Sequence, residues 1–200
     1  FSLKTFFFSL AVAVAAAVGM VALRYQAPTL KWTFLQTSML SVHLLLELVS
    51  IIVSMLIVTV GWHALRERED ATSRVLVGGF LVVGVCDLVH ALTYAGMPHL
   101  LGEASTPRAI FFWLMGRTAE LLTLGLVAWM AHTRLSRRTA LTLGTGLALG
   151  LVWVGSYRLD WFPTTFVAGQ GVTEFKARYE YVLCLGNWAV AALLWHRARQ

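Results

Sequence analysis

Apolar residues in this chain come in long runs, and polar residues collect in the gaps between them. Crossing about 30 Å of hydrocarbon takes roughly 20 residues of α-helix. Six stretches are long and apolar enough, at about 4–24, 39–65, 74–94, 109–132, 139–158 and 178–197. The gaps "RYQAPTLKW", "RERED", "MPHLLGEASTPR", "RLSRR" and "RLDWFPTTFVAGQGVTEFKAR" carry the charges and turn formers. The pattern predicts an all-α integral membrane protein, a six-transmembrane-helix bundle forming a single domain over 1–200. No internal repeat or low-complexity tract is visible, and no soluble domain fits in the gaps.

Composition agrees, at 58% hydrophobic and 13% charged, where a soluble domain carries about 25% charged residues. The net charge of +6 invites a nucleic-acid reading. Yet the basic residues sit in short clusters between apolar runs, as topology signals do. No basic stripe with interleaved aromatics is present, so nucleic acid is set aside. Cys86 and Cys184 lie within apolar segments and fit small core residues better than a disulfide or zinc site. The first segment is read as a retained anchor, because no small-residue cleavage site follows "VALRYQ".

With the N-terminus inside, nine Lys and Arg residues fall on the cytoplasmic side and six on the outer side. The compact clusters "RERED" and "RLSRR" lie in short loops, where the positive-inside signal is strongest. Both termini are therefore expected in the cytoplasm. Trp32, beside Lys31, fits an interfacial anchor.

Polar residues inside the spans fall at one level. At 1.5 Å per residue, His43 lies about 6 Å and Glu47 about 12 Å below the outer surface. His90 lies roughly 6 Å and Asp87 roughly 10 Å deep. Trp113, Arg117 and Glu120 follow at about 6, 12 and 16 Å. Within each span these residues step by three or four, which keeps them on one helix face. His43, Glu47, Ser50 and Ser54 do so on one helix, Asp87, His90 and Tyr94 on the next, and Glu180, Cys184 and Asn187 on the last. Facing lipid would cost several kcal/mol per group, so these faces are expected to turn inward and toward each other and form a polar pocket in the outer half.

Charge balance sharpens that expectation. Three carboxylates, Glu47, Asp87 and Glu120, share one permanent cation, Arg117. Protonated carboxyls, protonated His43 and His90, or a bound cation must compensate. A plain structural ion pair between Arg117 and Glu120, and ordinary hydrogen-bonding roles for the histidines, are the simpler alternatives. "GLALG", Gly146 to Gly150, is a small-xxx-small face expected to serve close helix packing rather than a dimer seam.

The chain resembles the bacterial membrane-associated sensor domains of the third MASE type. The motifs that carry the resemblance are "HLLLELVSIIVS", "DLVHALTYAGMP", "FFWLMGRTAELL" and "GVTEFKARYEYVL", in that order. The resemblance implies a sensory input module in the bacterial inner membrane, followed beyond Gln200 by a cytoplasmic PAS, diguanylate cyclase or histidine kinase module. It implies roles for His43, Glu47, Asp87, His90, Trp113, Arg117, Glu120, Thr173, Lys176 and Glu180, which largely coincide with the pocket residues. It assigns no ligand.

Two functional readings follow from the residues. The domain senses a ligand or a redox state through the pocket, with membrane lipid, an attached output module and a possible second copy as its partners. Alternatively, His43 and His90 ligate haem iron or, with Glu47, a divalent metal. An independent enzyme or transporter is disfavoured, since no H-E-x-x-H pair, G-x-S-x-G elbow or helix-broken repeat is present. The long segment before the last span is expected to fold over the pocket mouth as a lid, with Lys176 and Arg178 offering charge to the acids.

Overall fold

The computed structural model describes residues 33–63, 71–129 and 136–199, together with Ala15 and Val18. The first predicted span, 4–24, lies outside the described residues apart from those two positions. The chain divides into two units, 1–43 and 44–200. Of the first, the structure describes the opening turns of helix α1, Thr33–His63. The second holds the remainder of α1 and four further helices: α2 (Ala71–Thr93), α3 (Thr106–Trp129), α4 (Arg137–Tyr157) and α5 (Glu174–Ala198).

Four of these helices, α1 to α4, are long and apolar enough to cross a membrane. Their bounds fall within a few residues of the second to fifth predicted spans. Helix α5 covers the sixth predicted span but starts earlier, at Glu174. Its 25 residues give about 37 Å of helix. Its first two turns, however, carry Glu174, Lys176, Arg178 and Glu180, which leaves only Tyr181–His196 without a fixed charge. That uncharged stretch falls short of the roughly 20 residues a span needs.

Helix α2 is the hub of the second unit. Its core residues Val82 and Cys86 pack on Ala148 of α4, and Val89 packs on Phe111 and Phe112 of α3. Close approach is set by small residues. A methyl group placed on Gly78 would lie 2.6 Å from the Ala140 carbonyl oxygen, and one on Gly144 would lie 2.4 Å from that of Gly78. Only residues without Cβ atoms let α2 and α4 meet backbone to backbone.

The "GLALG" face, expected to serve close helix packing, is not used by the described helices. Nothing among the described residues lies within 4 Å of a methyl group built on Gly146 or Gly150. Among the described residues the packing face of α4 is Ala140, Gly144 and Ala148, two residues out of phase with Gly146 and Gly150 and so on the other side of the helix.

Helix α1 is turned inside out relative to a helix of a water-soluble protein. Leu45, Leu46, Val49, Ile52, Val53 and Leu56 are exposed, while Ser54 is buried. In lipid the inexpensive arrangement is apolar out and polar in. Glu47, Ser50 and Ser54 line the inward side.

Loops complete the second unit. Ser136 caps the start of α4 by accepting from the Thr139 amide at 3.0 Å. Arg108 donates to the carbonyl oxygens of Gly155 at 3.1 Å and Ser156 at 3.4 Å, tying α3 to the end of α4. After α4 come a single 3-10 turn, Leu159–Trp161, and a short antiparallel hairpin, β1 (Phe166–Val167) with β2 (Gly171–Val172). Gly169 and Gly171 turn this hairpin at φ of 81° and 91°, values that side chains rarely adopt. Phe162 anchors the segment, with its ring 5.1 Å from that of Phe111 and 5.6 Å from that of Phe175.

Candidate functional site

Antiparallel helices α1 and α2 meet at two matched polar rungs. Glu47 and Ser50 are three residues apart on α1, as are Asp87 and His90 on α2, so each pair presents one face. Ser50 meets Asp87, and Glu47 meets His90. Partners move down one helix as they move up the other, and the same register continues to Ser54 against Gly84.

At the first rung, Asp87 is fully buried. Arg117 Nη2 donates to both of its carboxylate oxygens at 2.8 Å, and Ser50 Oγ donates to Oδ2 at 2.7 Å. Arg117 Nη1 donates to Glu120 Oε2 at 2.8 Å, one turn along α3. One guanidinium thus serves two carboxylates and ties α3 to α2, while Ser50 ties α1 to the same acid. Gly116 makes room for this. A methyl group there would sit 3.0 Å from Asp87 Oδ1.

At the second rung, His90 is buried and its Nδ1 lies 2.7 Å from the Ala109 carbonyl oxygen. A carbonyl oxygen only accepts, so Nδ1 carries the hydrogen. Nε2 is turned to α1, 3.6 Å from Glu47 Oε1. With Nδ1 committed as donor, a neutral ring offers a lone pair at Nε2 toward a carboxylate. A cation between the two, whether a proton or a metal ion, would be held by both. Histidine metal ligands are commonly oriented in this way, by donating the other ring N–H to a carbonyl. His43 lies in the other unit and is placed here only by sequence, one helical turn before Glu47.

The remaining candidates form a separate group on α3 and α5. Lys176 Nζ lies 2.7 Å from Glu180 Oε1 and 5.7 Å from the centre of the Trp113 ring. Arg178 pairs with Glu174 at 2.5 Å on the exposed side of α5. Thr173 is the N-cap of α5; its hydroxyl accepts from the Lys176 amide at 3.4 Å and donates to the Thr164 carbonyl at 2.7 Å. Lys176 and Glu180 balance each other, so among the described residues Arg117 is the fixed cation that meets this group of acids.

Residues 34–200 match the MASE3 model, described as a membrane-associated sensor domain. The chain belongs to the MASE3 family. No curated protein and no solved structure matches it. This MASE3 domain is therefore a multi-pass membrane sensor module, and among its described residues the polar rungs bring buried Asp87 and His90 together with Glu47, Arg117 and Glu120.

Several participants were not among the site residues expected from sequence. Ser50 was visible as the next residue on the Glu47 face, yet nothing marked it as a partner of Asp87. The Ala109 carbonyl and Gly116 carry no sequence signal, because their contribution is backbone position. Thr118 and Tyr179 join α3 to α5 through a 2.9 Å hydroxyl contact, and the chain offers no motif for it.

Proposed function

We propose that this MASE3 domain is the input module of a bacterial inner-membrane signalling protein, and that it responds to a cation or metal-centred cofactor held at the His90–Glu47 rung. The observation that carries this reading is the His90 ring itself. Its Nδ1 is spent on Ala109 while Nε2 faces a carboxylate across 3.6 Å, in a group with more acids than fixed cations. His43, one turn before Glu47, is the third donor that spacing offers. Two histidines and a carboxylate suit a divalent first-row metal, and His43 with His90 would suit haem.

In this reading the domain crosses the membrane six times with both ends in the cytoplasm, and α5 is the last crossing, its short uncharged stretch completed by flanking Lys and Arg side chains that snorkel to the interface. Its output would run through α5 into a PAS, diguanylate cyclase or histidine kinase module beyond Gln200, in a homodimer where that module requires one. Support for α5 as the carrier comes from the Thr118–Tyr179 contact, next in sequence to Arg117, and from Lys176 stacked against Trp113. A ligand that favours one arrangement of these contacts shifts α5 by its differential affinity.

Metal analysis and absorbance of the detergent-purified protein test the site. After incubation with Zn(II) and gel filtration, about one zinc per chain is expected in the parent protein. At least tenfold less is expected in His90→Ala and Glu47→Gln, both still monodisperse. A Soret band lost in His90→Ala would assign haem instead. Neither metal nor Soret band in the parent protein would refute the cofactor reading.

Topology has its own test. Cysteines placed in 134–138 and at Gln170 are expected to react with an impermeant maleimide from opposite sides of the membrane. Labelling of both from outside the cell would refute the six-span arrangement.

A further inference from the structure

A recess lies away from the polar rungs, at the opposite end of α2. It is a groove of about 290 Å³ between α2, α3 and α4, and its lining is almost wholly apolar. Gly78, Gly79 and Gly144 belong to its floor. At Gly78 and Gly144 the helix backbones come too close for a side chain, and at Gly79 a methyl group would lie 2.0 Å from the side-chain Oγ1 of Thr123. Leu122 and Leu126 form one wall and Leu143 and Leu147 the other, all four exposed. The groove is thus a consequence of glycine packing, a floor without side chains between two leucine walls.

Length and charge indicate what fits. From Arg74 to Val82 the groove follows about 12 Å of α2, most of the roughly 15 Å of one leaflet's hydrocarbon. Arg74 lies in the first turn of α2 and lines the groove at that end. Arg138 is exposed at the same end, because α4 begins there with Ala140 against Gly78. The segments 64–74 and 134–138 together carry six arginines against three acids. The volume is at the lower edge of ligand pockets, about 300 Å³, which suits one hydrocarbon chain better than a bulky ring system.

We propose that this groove is a specific binding site for an anionic glycerophospholipid, with one acyl chain lying between the leucine walls and the phosphate at Arg74. Basic pockets between transmembrane helices bind anionic headgroups in this manner. The site is independent of the His90–Glu47 rung, which stands on the other half of α2.

Native mass spectrometry of the full-length protein with equimolar phosphatidylglycerol and phosphatidylcholine tests it. The parent protein is expected to retain one phosphatidylglycerol at least fivefold over phosphatidylcholine. Arg74→Gln is expected to abolish that preference. Leu143→Trp, which sets an indole over the glycine floor, is expected to lower retention of both lipids at least fivefold, while Leu185→Trp on exposed α5 leaves both unchanged. Leu126→Trp on the opposite wall gives the same reading if Leu143→Trp does not fold. Undiminished retention in the groove-filling variants, or equal headgroup preference in the parent protein and Arg74→Gln, overturns the proposal. So does a cross-link from Leu143→Cys to residues 1–32, which would make the occupant a segment of this chain.

Discussion

Arg117→Met is expected to destabilise the domain by about 3–5 kcal/mol, the largest effect of any single substitution in the polar site. The substitution keeps most of the side-chain volume, so the loss is electrostatic. Asp87 is buried beneath Arg117 and takes two of its hydrogen bonds from Nη2. Without the guanidinium it keeps only Ser50, and Glu120 loses its partner on the same helix. An uncompensated carboxylate in a low-dielectric interior is what makes such a change severe. Arg117→Lys restores charge but cannot reach both Asp87 and Glu120 with the same planar fork, so an intermediate loss is expected. The double variant Arg117→Met with Asp87→Leu is expected to be more stable than Arg117→Met alone, because the buried charge has gone along with its partner. Unfolding in mixed micelles measures all three. A loss below about 1 kcal/mol in Arg117→Met would mean that Asp87 finds other compensation.

The second large effect belongs to the packing of α2 on α4. In Gly144→Ala the new methyl group would lie 2.4 Å from the Gly78 carbonyl oxygen. A backbone atom cannot rotate away, so the helices must separate along the Val82–Ala148 contact. Overpacking of this kind costs about 1–3 kcal/mol. Gly146→Ala and Gly150→Ala provide the contrast. Their methyl groups meet nothing among the described residues, and alanine is the better helix former by about 1 kcal/mol. They are expected to be neutral or slightly stabilising in the same assay. Equal losses at Gly144 and Gly146 would place the tight α4 face elsewhere.

These two predictions separate what could be read along the chain from what could not. Length and uninterrupted apolarity announced helices α1 to α4, because hydrocarbon imposes one requirement on every crossing segment: enough apolar residues with all backbone groups bonded internally. The same rule made the polar residues conspicuous. Glu47, Asp87, His90, Arg117 and Glu120 stood out as costly in lipid, and a period of three or four put them on single faces. Their convergence on one level followed from depth counted along each helix.

Partner choice did not follow. Depth and periodicity leave several carboxylates within reach of Arg117, and only the packed helices decide that Asp87 and Glu120 receive it while Glu47 faces His90. Nor could the sequence separate the two small-residue faces of α4, since Gly144 and Gly146 differ only in the direction they point once α2 is in place. Lys176, expected to offer its charge to the acids of the pocket, pairs with Glu180 on its own helix, because a neighbour one turn away is reached without ordering a loop. What the sequence determined by itself is the medium and the residues that cannot face it. Which of those residues meet was decided by the tertiary structure, since helix rotation and spacing depend on backbone contacts at glycines, and these carry no hydrophobic or charge pattern.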